Sequence, residues 1–395
     1  MRLGSQLVVS ALCVASCNAT TLFVADSGGN VTTLSFTKNG LSITSRTPDC
    51  EPNPSWLTLD HKDRVLYCLD RGTPNVSTVG SLNSFSIGKN GTLDHLARVE
   101  APFSGVAGAI VTAPSRKRGY VTASYNRSAA SVISLGEHGA LPGSGPVQLI
   151  LPNITETGPV ADRQDRSYLH HVIIDPKNEY IVIPDLGGDR CRVYAYDKDN
   201  VAPITEVGAL KAEPGSGPRH GFFRIMENGE TFFFFNGELD QKVYSYRVEY
   251  TETNLEFTKV FEIPALNANL PATRAPASEI AMSPDSRFLT VSNREKSFAD
   301  SPEFGSGPSD TLSTFAINED GTLKLIQLAP SGGWLPRQFS FNKAGDKIAV
   351  GHQTNRTVVI WKRDVESGKI ILEAEGGKLG QVQLTGAVVA TIWDE

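Results

Sequence analysis

The amino-acid sequence predicts an all-β protein folded as a seven-bladed β-propeller, and three observations carry that reading. A unit of apolar segment, turn, second apolar segment ending in a polar loop, alternating strand and x-G-x-L turn recurs seven times along the 395 residues. The period of roughly 50–60 residues marks a propeller whose loops are partly long. The C-terminus carries the one strand that the N-terminal copy lacks, and no sustained helical periodicity interrupts the pattern.

The second strand of each unit is read at residues 22–26, 65–70, 119–123, 180–185, 232–236, 288–293 and 347–351. Six units begin with their own first strand, at 55–60, 108–112, 170–175, 219–224, 278–283 and 337–342. The unit at Thr21 has none, and a strand of the same type stands alone at 386–393. Pairing 387–393 with the segment that begins at Thr21 closes the ring and removes two sheet edges. Gly and Pro fall between the apolar segments, as turns require. Residues 20–395 are therefore read as one propeller domain. Two connections exceed the usual length, 142–164 and 298–310. Long loops on a rigid scaffold often cover a binding site.

The N-terminus reads as a secretory signal over residues 1–19, with Arg2, an apolar stretch from Leu7 to Ala15, and a small-residue cleavage site at Cys17-Asn18-Ala19. That apolar run is too short to span a bilayer. Beyond it remain Cys50, Cys68 and Cys191, an odd number that permits one disulfide at most; Cys50–Cys68 is the nearest pair, and buried thiols are the favoured reading. N-glycosylation sequons at Asn30, Asn75, Asn90, Asn126, Asn153 and Asn355 fall in segments read as turns or loops. A secreted, extracellular glycoprotein is expected. The net charge is −6 with scattered basic residues, which argues against a nucleic-acid groove or a polybasic membrane patch.

The chemistry is predicted to sit where blades converge. Five residues before the polar residue that ends each first strand stand Ser55, His170, Arg219, Ser278 and Arg337. Blades are related by rotation, so these positions form a ring at one mouth of the channel. A second register follows the second strands: Arg71, Glu238 and Arg294. Together they place a histidine, a carboxylate and several guanidinium groups in one polar mouth. Arginine suits bidentate capture of carboxylate or phosphate, and histidine titrates near neutrality. His171 and His220 adjoin two ring positions, and strand alternation is expected to turn both away into the blade packing. There is no G-x-S-x-G elbow, no H-E-x-x-H, no zinc-spaced Cys/His cluster and no oxygen-rich cage, so no metal and no cofactor are expected. Gly215-Ser216-Gly217-Pro218 precedes a strand rather than a helix, which argues against a phosphate loop.

The segments "GSGPRHGFF…FFFFNGEL", "ASEIAMSPDSRFLTVSNR", "LPRQFSFNKAGDKIAVGHQ" and "HHVIIDPKNEYIVIPDLGGDRCRVYAYD" resemble the seven-bladed propeller lactonase family, which includes 6-phosphogluconolactonases and carboxy-cis,cis-muconate cyclases. The resemblance runs from about Thr20 to Ile371 and is strongest from His170 onward. It implies a catalytic cleft on one propeller face with His170, Arg219, Glu238 and Arg294 at the active-site positions. Many relatives carry His-Xaa-His where this chain has Tyr168-Leu169-His170, and Gly237 separates Asn236 from Glu238. The third unit, with Ala107-Gly108-Ala109, lacks polar residues in its first strand.

Three functions fit these residues. The first is a lactone hydrolase similar to 6-phosphogluconolactonase, opening an anionic sugar lactone. There Arg219 and Arg294 hold the anion and polarise the carbonyl while His170 or Glu238 moves the proton, and Arg71, Ser278 and Arg337 line the substrate. The second is a cycloisomerase closing a carboxymuconate-type diacid into a lactone. The third is a secreted propeller that binds a ligand without turnover. The expected partner is a small anionic lactone or diacid, taken up by a monomer.

Overall fold

Alternating apolar side chains pair the repeats into seven four-stranded antiparallel sheets. The structure is a computed structural model that describes residues 19–266, 275–294 and 309–395. The secretory signal proposed for 1–19 and the long connection at 298–310 therefore lie outside the described residues, apart from Ala19, Ser309 and Asp310. Blade 1 joins Val388–Asp394 from the C-terminus to Thr20–Asp26, Asn30–Thr37 and Gly40–Thr47. Blades 2 to 7 follow in chain order from the first strands Pro54–Asp60, Gly105–Thr112, Ile173–Ile174, Pro218–Ile225, Ala277–Met282 and Pro336–Phe341.

The predicted closure is present. Leu22 pairs with Trp393, Phe23 with Ile392 and Val24 with Thr391. The core sits between blades rather than within one. Leu22, Val24, Leu34 and Trp393 of blade 1 pack on Ala349, Val358 and Ile360 of blade 7. On the other side, Phe23, Ala25 and Val31 pack on Leu57, Leu66 and Phe85 of blade 2. Burial of such side chains stabilises by about 1.5–3 kcal/mol each, which is why the second strands, buried on both faces, read as continuous apolar runs.

Three local readings need correction. Cys50 and Cys68 form a disulfide rather than standing as buried thiols, and Cys191 is the buried free thiol. The bridge ties the link between blades 1 and 2 to the second strand of blade 2; spacing marked the two as the nearest pair, and the fold brings them together. Second, the segment 142–164 contains the outer strand of blade 3, Gln148–Ile150, which pairs with Ala130–Val132. It is too short and too exposed to show an alternating pattern. Third, Asn30 opens a strand instead of lying in a turn.

Candidate active site

One backbone hydrogen bond repeats around the ring and sets the site. The N–H of the residue after each second strand donates to the carbonyl two residues before the first-register position. The pairs are Ser27 N to Ala387 O, Arg71 N to Asn53 O, Tyr125 N to Ser104 O, Leu186 N to Tyr168 O, Glu238 N to Gly217 O, Arg294 N to Pro276 O and Gln353 N to Leu335 O, at 2.9, 3.0, 2.8, 2.9, 2.9, 3.0 and 3.0 Å. Val389 and Val106 are the counterparts of that position in blades 1 and 3. Both registers therefore occupy the same end of the blades. Gly237 belongs to this turn because of close backbone approach: a Cβ there would lie 2.7 Å from Ser216 O and 2.1 Å from Asp240 Oδ1.

The first strands do not alternate at this end. Their pairing skips Val389, Ser55, Val106, Arg219-His220, Ser278-Glu279 and Arg337, an irregularity repeated in six blades. A bulge re-aims side chains, so two consecutive residues can face the channel. Ser55 and Trp56, Arg219 and His220, and Arg337 and Gln338 accordingly line one small cavity of ≈ 10 Å³ with His170, Val106 and Val389. Such a space holds about one water. This corrects the expectation that His220 points into the blade packing.

Blade 4 departs differently. Its first strand is only Ile173–Ile174, and His170 is held by its own N–H to Pro184 O at 3.0 Å. His171, also expected to turn into the packing, instead stacks on His220 with ring centroids 4.4 Å apart and lines a cavity of ≈ 760 Å³ at the opposite mouth.

Glu238 is the anionic centre. Its Oε2 accepts from Arg219 Nε at 2.7 Å, and its Oε1 accepts from Arg163 at 2.7 Å and lies 3.2 Å from Arg294. Burial alone would raise this carboxyl, but Arg294, Arg219 and Arg163 outweigh it and hold the group far below the usual carboxylate range. Arg219 is buried, and desolvation brings it down to about 10 despite Glu238. Its Nη1 donates to Ser278 O at 2.7 Å. The Ser278 hydroxyl is spent on Arg337 O at 2.7 Å, so this predicted substrate contact acts on the scaffold.

Two arginines have no carboxylate among the described residues. Arg71 donates to Ser104 Oγ at 3.1 Å, and its Nε is buried without a partner. Burial and the charges of Arg219, Arg71 and Arg294 hold Arg337 well below the usual arginine range. Three groups escaped the sequence reading, Arg163 and Tyr125, joined at 3.0 Å, and Glu279, while His220 was singled out but aimed the wrong way. Tyr125 sits in the second register and could have been found there. Arg163 arrives from the long 142–164 connection, which only its length singled out.

His170 Nδ1 lies 3.1 Å from His220 Nε2, and His220 Nδ1 lies 2.8 Å from Glu279 Oε1. Burial and neighbouring arginines keep both histidines well below the ordinary histidine range. Burial pushes the Glu279 carboxyl up to about 7. Among the described residues no group of three or more His, Cys, Asp or Glu side chains is placed to hold a metal ion. The glycine-rich loop is filled by the chain itself, since Asp189 accepts from Gly215 N at 2.6 Å and Gly217 N at 2.9 Å.

Residues 12–382 match the family model described as lactonase, 7-bladed beta-propeller. The chain is 30% identical over 360 residues to the "Probable 6-phosphogluconolactonase" of Arthroderma benhamiae, covering 89% of this chain and 84% of that one. It is 26% identical over 322 residues to the 6-phosphogluconolactonase of Bacillus subtilis, covering 81% and 83%. The structure of the periplasmic gluconolactonase of Pseudomonas aeruginosa shares the fold at 22% identity and a TM-score of 0.77, covering 95% and 99%.

Proposed function

Since the chain belongs to the seven-bladed β-propeller lactonase family, we propose that it hydrolyses the lactone of an anionic sugar acid at the arginine-rich mouth. The observation that carries the anionic substrate is charge balance. Of the five arginines at the mouth, Arg163, Arg219 and Arg294 share the ionised Glu238. The other buried carboxyl nearby, Glu279, is pushed up to about 7 and makes no ion pair with an arginine among the described residues. Arg71 and Arg337 supply cationic donors with no carboxylate among the described residues. A phosphate or carboxylate on the substrate would complete them.

The same geometry supports a division of labour. Arg294, the least buried of the three guanidiniums on Glu238 save Arg163, polarises the lactone carbonyl and stabilises the oxyanion. Glu238 holds three arginines in place, and with both oxygens engaged and its carboxyl held far below the usual range it is too weak a base to take the proton. His170 activates the water, with Nε2 left free by the bond that Nδ1 makes to His220.

We further propose an extracellular address. The Cys50–Cys68 bridge suits an oxidising compartment. Asn75, Asn90, Asn126 and Asn153 are exposed, and their side chains are free to carry glycans. Asn30 instead donates to Gly28 O and Thr385 Oγ1, and Asn355 Oδ1 accepts from Trp334 N.

The test is a substrate panel on purified protein: 6-phosphogluconolactone, a lactone carrying a carboxylate, neutral glucono-δ-lactone and carboxy-cis,cis-muconate. The reading expects kcat/KM at least ~10-fold higher for one of the anionic lactones than for the neutral one. Equal turnover of neutral and anionic lactones, or turnover of the muconate alone, would sink it.

A further inference from the structure

We infer that the proton taken from the attacking water does not stay on His170 but passes through His220 to Glu279, which holds it until the ring oxygen needs it. The inference deepens the lactonase reading and rests on it. The three groups form one hydrogen-bonded line, with gaps of 3.1 Å between His170 Nδ1 and His220 Nε2 and 2.8 Å between His220 Nδ1 and Glu279 Oε1.

Packing fixes that line. His171 stacks on the His220 ring at 4.4 Å, and Trp56 meets it edge-on at 5.8 Å. Both His220 and Glu279 owe their direction to the pairing irregularities at 219–220 and 278–279. Glu279 Oε1 also accepts from Ile280 N at 3.0 Å, while Oε2 is buried and has no partner. A buried carboxylate with one bare oxygen is costly when ionised and comfortable when protonated.

Electrostatics make His170 a poor place for a proton. Arg219 and Arg337 bear on it, and Arg219, Arg337, Glu238 and Arg294 bear on His220. An imidazolium there would add a sixth cation to the mouth. At Glu279, which faces His171, Arg219, Arg337 and His220, the same proton neutralises a buried anion instead.

The step balances. The O–H bond of water breaks, its oxygen attacks the lactone carbonyl carbon, and its proton goes to His170 Nε2. The Nδ1 proton of His170 moves to His220 Nε2, and the Nδ1 proton of His220 moves to Glu279 Oε1. When the ring C–O bond breaks, the path runs in reverse and delivers a proton to the leaving oxygen. The products are the alcohol and the carboxylic acid, which ionises to solvent. No imidazolium persists, and both rings change from the Nδ1–H to the Nε2–H tautomer while Glu279 is loaded.

That exchange gives a signature a merely structural Glu279 would not show. Nitrogen-15 NMR of the wild-type protein should find His170 and His220 as neutral Nδ1–H tautomers at about pH 8.5, and as neutral Nε2–H tautomers at about pH 5.5. Tautomers that stay unchanged, or either ring turning to imidazolium, would overturn the relay. With 6-phosphogluconolactone and glucono-δ-lactone as probes, Glu279→Gln should lower kcat by ~10²-fold, leave KM within about threefold, and remove the rise of kcat with pH near neutrality. A folded Glu279→Gln protein with wild-type kcat and pH profile would refute the proposal. If the wild-type protein turns over neither probe, the lactone reading fails on its own, and the NMR measurement still decides the relay.

Discussion

Nε of Arg219 lies 2.7 Å from Oε2 of Glu238, and both side chains are buried. With Arg163 and Arg294 on the other oxygen, the carboxylate organises three cations at once. Glu238→Gln should therefore cost about 3–5 kcal/mol, as removal of one member of a buried ion cluster does, and should abolish most turnover. The pH dependence has a definite sign. The folded carboxyl is depressed, so its contribution is complete above the ordinary glutamate range and is lost as pH falls through the folded value. Urea melts should show a wild-type advantage that is constant near neutrality and shrinks toward about pH 3.

Arg337 is the converse case, a guanidinium surrounded by Arg71, Arg219 and Arg294. Arg337→Gln is expected to raise Tm in the absence of substrate, because repulsion and desolvation are relieved. The same change should raise KM for an anionic lactone by ~10-fold or more while sparing a neutral one. A fall in Tm, or equal effects on both substrates, would contradict the role given to it.

Glu279 titrates the other way from Glu238. Its folded carboxyl is raised to about 7, so the folded state binds the proton more tightly and stability declines as pH rises from the unfolded value through about 7. Glu279→Gln should stabilise the protein relative to wild type at about pH 8.5, by an amount on the order of 1–3 kcal/mol, and should do little below about pH 4.5. Calorimetry at the two pH values measures this without any substrate.

Arg294→Lys tests geometry rather than charge. A single ammonium cannot touch Glu238 and a carbonyl oxygen in the forked arrangement that a guanidinium allows. A loss of ~10²-fold or more in kcat/KM is expected, comparable with losing an oxyanion donor. A near-normal rate for the lysine enzyme would remove Arg294 from the oxyanion role.

Removing residues 388–395 should leave Thr20–Asp26 as an open sheet edge and strip Val388, Val389, Ala390 and Trp393 from the cores between blades 7, 1 and 2. The truncated chain is expected to melt far below the intact one or to aggregate. An unchanged Tm would mean that closure contributes little.

The site was legible only where periodicity reaches it. The first register, Ser55, His170, Arg219, Ser278 and Arg337, and the second, Arg71, Glu238 and Arg294, came from aligning strand ends, and the repeated backbone bond explains why those ends coincide. Alternation then misled the reading of His171 and His220. A bulge is set by how two strands pair, and neither strand announces it alone. Ser278 shows the complementary error, since a ring position can be spent on the scaffold: its hydroxyl serves Arg337 O.

By itself the sequence determined the number of blades, the strand that closes the ring and the end at which polar residues gather. Those properties follow from period and alternation, which are local and repeat along the chain. Only the tertiary structure decided that Cys50 meets Cys68, that Arg163 reaches Glu238 across 75 residues, and that His220 links His170 to Glu279. Those contacts depend on distances between blades and on bulges in their pairing, and the burial that shifts Glu238 and Glu279 in opposite directions exists only once the ring has closed.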